Sequence, residues 1–214
     1  MKYSLSSLCE YRKGKVNVDG LNKDTYISTE NMLPNKGGVI RATSLPTTSQ
    51  TQEYKKGDVL VSNIRPYFKK IWQAEYDGGC SNDVLVFKAN ENTDKDFLYY
   101  VLADDAFFNY SMATSKGTKM PRGDKTSIMQ YGVPHYDIVE QKKIACVLRL
   151  LDKKIEFNNK INNNLAPHLC VAQIAAKQRG QTPPTDGYLH TVDKVSGRGG
   201  NEETAEQFTS LLAA

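Results

Sequence analysis

The sequence predicts an α/β (α+β) globular domain with a twisted mixed sheet, followed by a long coiled-coil-forming helix. Three observations carry this prediction: short β-branched or aromatic runs divided by Gly, Pro and Asn, one amphipathic helical stretch that follows them, and an uninterrupted heptad seam after residue 137.

In chain order, Pro34, Gly37 and Gly38, then Pro46 and the run from Thr47 to Thr51, mark an exposed loop. Gly57 to Ser62, Lys70 to Ala74 and Asp83 to Phe87 read as three strands bounded by turn residues. Thr93 with Asp96 three residues on fits a helix start, and Phe97, Leu98, Val101, Leu102 and Phe108 recur on one face. A helix to about Tyr110 is expected there.

Asp137 is an N-cap with Glu140 three residues later, and neither Pro nor Gly follows until Pro167. This predicts a helix over 138–166, about 29 residues and ~43 Å long. Ile144, Leu148, Leu151, Ile155, Asn158, Asn162 and Leu165 step by alternating fours and threes, the spacing of a coiled-coil seam. They are the expected dimerisation residues, with Asn158 and Asn162 as register devices. An ordinary surface helix packed on its own domain is the alternative.

Beyond Pro167 the signals weaken. Leu169 to Lys177 fits a short helix, Gln181 to Pro184, Gly187 and Ser196 to Gly200 speak against a packed core, and Asn201 to Leu212 fits a last turn or two of helix. The expected division is a domain over 1–137, a long helix over 138–166, and a tail over 167–214, partly helical or mobile.

Composition limits the function classes. The chain has 214 residues, 39% hydrophobic and 24% charged, with net charge +4, and its mean hydropathy of -0.54 and pI of about 8.7 suit a soluble, mildly basic protein. No apolar run reaches the roughly 18 to 20 residues of a membrane helix, and Met1 to Leu5 lacks the apolar core of a signal peptide. A cytoplasmic protein without a membrane partner is expected. Cys9, Cys80, Cys146 and Cys170 are scattered, and His135, His168 and His190 do not cluster with them. Reduced thiols and no structural metal are the expectation.

Catalytic signatures are missing. The stretch Gly117 to Thr126 has one residue too many between its glycines, and Asp124 before the lysine, for a phosphate-cradling P-loop. Dinucleotide, nucleophile-elbow and zinc-protease motifs do not occur. Arg122-Gly123-Asp124 is not read as an adhesion motif in a cytoplasmic chain. Asp58, Glu75, Asp77 and Asp83 leave a small metal-dependent nuclease open. A protein-interaction adaptor built on the helix is another alternative.

Two basic and aromatic stretches suit duplex DNA. Ser62 to Lys70 joins two predicted strands and projects Arg65, Tyr67, Lys69 and Lys70; Thr114 to Lys125 offers Lys116, Thr118, Lys119, Arg122 and Lys125 beside permissive glycines. Lys and Arg neutralise phosphates, and Arg reads purine edges in the major groove.

Several blocks in order resemble the specificity subunit of type I restriction-modification systems: Tyr26 to Gly38, Gly57 to Trp72, Gly78 to Asp83, Lys116 to Lys125 and Glu140 to Ala145. The resemblance spans about residues 1 to 166. It implies a mixed α/β target-recognition domain that reads half of a bipartite site in double-stranded DNA, and a spacer helix that docks methyltransferase subunits, joined by a restriction subunit. It implies no catalytic residue and no cofactor in this chain.

Such subunits usually carry two recognition domains and two spacer helices, where this chain has one of each. Two expectations follow: a homodimer, or a pairing with a second specificity half, through the long helix; or a truncated or rearranged product whose tail from Ala166 is unrelated sequence. A two-fold dimer would read two identical half-sites.

Overall fold

In the computed structural model, which describes residues 2–178 and the side chains of residues 3–163, the most apolar strands form a middle layer. The strands are β1 Lys2–Ser4, β2 Cys9–Tyr11, β3 Lys15–Asn17, β4 Tyr26–Ile27, β5 Gln50–Tyr54, β6 Val59–Ser62, β7 Ile71–Gln73, β8 Gly78–Cys80, β9 Val84–Ala89 and β10 Gly132–Pro134. The helices are α1 Lys95–Ala103, α2 Asp105–Ala113, α3 Lys125–Met129 and α4 Ile138–Gln178.

β6 is buried at all four positions, as are the first four residues of β9. Alternation explains why. Val59, Val61, Ile71, Leu85 and Phe87 face a core shared with Phe97, Leu98, Leu102, Phe107 and Phe108 of α1 and α2, whereas Leu60, Trp72, Val84 and Val86 face Ile27, Tyr54 and Cys80 of the second sheet. The antiparallel sheet β2-β9-β6-β7 thus lies between a helical layer and the sheet β3-β5-β8-β4, in which β4 and β8 run parallel and the other pairs antiparallel. β1 and β10 form a separate antiparallel ribbon.

The three sequence-predicted strands are present, trimmed to β6, β7 and β9, and only one of the three sheets is mixed. The expected loop over Thr47 to Thr51 ends early. Thr51 is buried in β5, and its hydroxyl donates to the Cys80 carbonyl. The single helix expected to about Tyr110 is two helices. Asp104 leaves the helical region at ψ 139 and caps α2 by accepting the Ala106 amide. α1 is capped by Asp94, which accepts from the Asp96 and Phe97 amides, and not by Thr93.

α4 begins at the expected box. Asp137 accepts the Val139 and Glu140 amides at 2.8 Å, and Glu140 reaches back to the Asp137 amide at 3.1 Å. The expected stop at Pro167 is not observed, and the helix continues to Gln178. The expected short helix over Leu169 to Lys177 belongs to the same element, and the expectations for residues 179–214 lie outside the described residues.

The chain divides into two units between Lys153 and Lys154. The first turns of α4 therefore belong with the globular unit. Gln141 is buried there, accepting the Asp94 amide at 2.9 Å and donating to the Tyr136 carbonyl at 2.9 Å and the Asn92 carbonyl at 3.4 Å. Ala145 is buried in the core and Ile144 packs against it, Arg149 pairs with Asp96, and the Tyr100 hydroxyl donates to Asp152 at 2.7 Å. Among the described residues no helix is long and apolar enough to cross a membrane.

Candidate nucleic-acid interface

The segment 63–70 joins β6 to β7 at one end of the middle sheet. Arg65 (φ 50) and Lys69 (φ 50) are both left-handed and bracket the 3₁₀ turn Pro66–Phe68. A non-glycine residue pays roughly 1 to 2 kcal/mol for that backbone, so neighbouring bonds must hold it. The Asn63 amide donates to the Asp83 carbonyl and the Arg65 amide to the Pro121 carbonyl, each at 2.8 Å.

The second segment, 114–125, folds back on itself. Lys116 and Arg122 exchange amide–carbonyl bonds at 2.9 and 3.0 Å, leaving Gly117 (φ 92), Thr118, Lys119 and Met120 at an exposed tip. It docks on the first segment through the Gly123 amide, which donates to the Asn63 carbonyl at 3.2 Å. Only glycine fits at 123: a Cβ there would lie 2.8 Å from Ile128 Cδ1 and 2.9 Å from both Asn63 Oδ1 and Ser111 Oγ. That Asn63 Oδ1 is buried without a hydrogen-bond partner among the described residues.

A third segment, which the sequence marked as an exposed loop and as part of the block Tyr26 to Gly38 that carries the family resemblance, docks on the first. Asn35 and Lys36 are left-handed, and their amides donate to the Phe68 and Lys69 carbonyls at 2.8 and 2.9 Å. Among the described residues, the only non-glycine positions with positive φ are Asn35, Lys36, Arg65 and Lys69. Three of the four are cations. Pro34, Gly37 and Gly38 mark a turn in the sequence, but its docking on Phe68 and Lys69 is made by tertiary bonds that carry no local signal.

Three carboxylates order the cations. Asp105, the first residue of α2, binds Lys69 Nζ at 2.7 Å and Lys36 Nζ at 2.9 Å, and these two ammonium groups hold its carboxyl at about 2. Asp124 accepts Lys116 at 2.6 Å and the Ser127 amide, which hold it at about 2 as well. Asp83 lies 3.1 Å from Arg122. Arg65, Lys119 and Lys125 have no ion pair among the described residues, and all three are exposed, as are Tyr67 and Thr118.

Lys70 departs from the expectation. It is half-buried, its ammonium donates to the Thr29 carbonyl at 2.6 Å and lies 5.8 Å from the Phe68 ring centre, and desolvation lowers its pKa. Its side chain ties two segments together, which leaves it poorly placed as a free phosphate contact.

The carboxylates of the nuclease alternative do not converge. Asp58 is buried against Arg12 and accepts the Lys55 amide, Asp77 accepts the Lys56 amide and faces Lys55, and Asp83 faces Arg122. Among the described residues no three His, Cys, Asp or Glu side chains are grouped to hold a metal. Burial pushes the Cys9 and Cys80 thiols up to about 12, far from a reactive thiolate.

Along α4 the expected seam is unevenly exposed. Ile144 packs against its own domain's core because the first turns are tied there, and Leu148 is half-buried. Leu151, Ile155, Asn158 and Asn162 are exposed, and the Leu165 side chain lies outside the described residues. Val147, Leu150, Phe157 and Ile161 are exposed apolar residues beyond the seam, so the apolar stripe is wider than a strict heptad pattern.

Comparison with known proteins matches residues 1–166 to the type I restriction modification DNA specificity domain. The chain is 28% identical over 120 residues to the type I restriction enzyme EcoDI specificity subunit of Escherichia coli, covering 56% of this chain and 27% of that one. It is 27% identical over 175 residues to the HindI specificity subunit of Haemophilus influenzae, covering 77% and 38%. Among solved structures, the HsdS subunit from Thermoanaerobacter tengcongensis superposes with a TM-score of 0.57 at 20% identity, covering 83% of this chain and 48% of that one. A chain from a structure described as the basis of complex assembly and conformational transition of the type I R-M system gives 0.61 at 20% identity, covering 87% and 50%. The chain therefore spans at most about half the length of these relatives, and with a family match over most of its residues it belongs to the type I restriction-modification DNA specificity family.

Proposed function

We propose that this chain is a non-catalytic DNA-reading component: the three segments 31–38, 63–70 and 114–125 bind one half of a bipartite site in double-stranded DNA. The observation that carries this reading is the joining of two of these segments at left-handed Lys36, Arg65 and Lys69, since backbone strain persists where surrounding structure and function hold it. Arg65, Lys119 and Lys125 are the cations already available to phosphates or base edges, with Tyr67 and Thr118 beside them. Lys69, Lys116 and Arg122 join when phosphates replace Asp105, Asp124 and Asp83 as their partners. Lys36 is added to this set, and Lys70 supports it from behind.

Association follows from α4. Its exposed apolar side chains, Leu151 and, in the second unit, Ile155, Phe157 and Ile161, support pairing with a second helix, supplied by another copy or another specificity half, with Asn158 and Asn162 setting the register. Type I methyltransferase and restriction subunits are the partners proposed to carry the chemistry, in a cytoplasmic complex.

Equilibrium binding of the full chain to a duplex pool, measured against ionic strength, tests the DNA reading. Engagement of three to six phosphates gives a log–log slope of about -3 to -5. A slope near zero, or no binding at low salt, contradicts it.

A further inference from the structure

The large apolar side chains that the three segments expose are Tyr67, Phe68 and Met120. Tyr67 and Phe68 are consecutive residues of the 3₁₀ turn Pro66–Phe68, in which Pro66 is the buried member. Their ring centroids lie 4.6 Å apart, and among the described residues no third aromatic ring packs on either. Tyr67 is the freer of the two, 47% exposed against 39%, while the Lys70 ammonium lies 5.8 Å from the centre of the Phe68 ring.

The turn that carries these rings is fixed on every side. The Phe68 and Lys69 amides donate to the Arg65 and Pro66 carbonyls at 3.0 and 2.9 Å, and the Arg65 amide donates to Pro121 at 2.8 Å. The Phe68 and Lys69 carbonyls accept the Asn35 and Lys36 amides, and the Lys70 carbonyl accepts the Ser62 amide at 3.1 Å. Arg65 and Lys69 flank the rings in the chain, and Asp105 ties Lys36 to Lys69. An aromatic pair mounted on such a turn does not fold back when it is pressed against a partner.

Cations suffice for phosphates, and base edges are read by polar groups. Two adjacent rings on a rigid turn add a flat apolar surface that neither role uses. Its chemistry matches the face of a base pair, which a duplex exposes only where two neighbouring pairs part. We propose that Tyr67 is a wedge that enters between two neighbouring base pairs, with Phe68 bracing it while the loop cations hold the phosphates. The inference rests on the DNA reading above and deepens it. Opening one step costs an amount of the order that burying exposed aromatic surface returns, and pyrimidine–purine steps open most readily. The wedge therefore selects sequence through ease of unstacking, without reading a base edge.

A scan of nicked duplexes tests it. The duplex most enriched by the full chain from a random pool is prepared with a single nick at each base step in turn, which keeps every base edge and loosens the stack at one step. Wild type is expected to bind one nicked duplex, or two with adjacent nicks, roughly 5- to 50-fold more tightly than the intact duplex. Tyr67→Ala is expected to lose that preference and Tyr67→Phe to keep it, both with the salt slope of wild type, since neither change alters charge. A merely structural role for Tyr67 would not place its effect at one step of the duplex. If wild type binds the intact duplex and no nicked one more tightly, the wedge is overturned and the DNA reading stands. Preference kept in Tyr67→Ala, or lost in Tyr67→Phe as well, also overturns it: the first leaves the rings to a protein contact, the second makes the hydroxyl the contacting group. If wild type binds no duplex, both readings fail together.

Discussion

Lys69 Nζ donates to Asp105 Oδ2 across 2.7 Å, and Lys36 Nζ sits 2.9 Å from the other carboxylate oxygen. One acid at the start of α2 thus holds the cations of two segments side by side, and any phosphate must compete with it. Asp105→Asn removes that competitor. Nonspecific duplex affinity is expected to rise at low salt, with the log–log salt slope steeper by up to about 2. An unchanged slope in a titration by fluorescence anisotropy would show that Lys36 and Lys69 do not reach the duplex.

The unpaired cations separate phosphate contact from base reading. Lys119→Ala is expected to weaken all sequences alike and to reduce the salt slope by about 1, whereas Arg65→Ala is expected to cost roughly 1 to 3 kcal/mol on the preferred sequence and to relax one position. Full affinity and selectivity in the combined variant would remove both assignments. Arg65→Gly adds a stability readout. Glycine relieves the left-handed strain at 65, so the urea midpoint is expected to hold or to rise by the equivalent of up to about 1 kcal/mol while DNA affinity falls.

Gly123→Ala forces a methyl group against Ile128, Asn63 and Ser111 where the second segment docks on the first. A loss of about 1 to 3 kcal/mol in urea denaturation is expected. Retained stability would mean that the docking of these segments is looser than described.

Gln141 fastens α4 to the globular unit with three hydrogen bonds. Gln141→Leu keeps much of the volume and strands the Asp94 amide and two carbonyls, at a cost of about 1 to 3 kcal/mol per buried unsatisfied group. The expected result is an earlier urea midpoint with an unchanged slope.

Asp105 and Asp124 carry the acid dependence. Both carboxyls lie below the ordinary value of 3.8, at about 2. A carboxyl depressed in the folded state contributes stability that is present above its unfolded pKa and lost as pH falls through the folded one. The Asp105 link between Lys36 and Lys69 and the Asp124–Lys116 contact are therefore expected to hold above about pH 4 and to weaken between about pH 4 and 2. Carboxyl chemical shifts of these two residues titrating near 4 would contradict it.

The legible parts of the sequence were those written in local patterns. Gly57 to Ser62 and Asp83 to Phe87 read as strands because short β-branched or aromatic runs lie between turn residues, and Asp137 with Glu140 read as a helix start because a capping box is a four-residue feature. β5 was missed because four of the five residues in Gln50-Thr51-Gln52-Glu53-Tyr54 are polar, although Thr51 and Tyr54 are buried. The break at Asp104 was missed because the apolar stripe runs on from Leu102 to Phe108 while the cap acts on the backbone. The cationic loops were legible one at a time. Their grouping was not, since Asp83, Asp105 and the segment at Asn35 and Lys36 come together only through tertiary bonds.

Backbone amide hydrogen exchange of the full chain, with and without duplex DNA, reads whether residues 31–38, 63–70 and 114–125 form one DNA-binding surface. Added protection is expected at Asn35 and Lys36, across Arg65 to Lys69, and across Lys116 to Gly123, with none at Phe157 to Ile161. Unchanged exchange in all three segments at saturating duplex, or protection confined to α4, would contradict it.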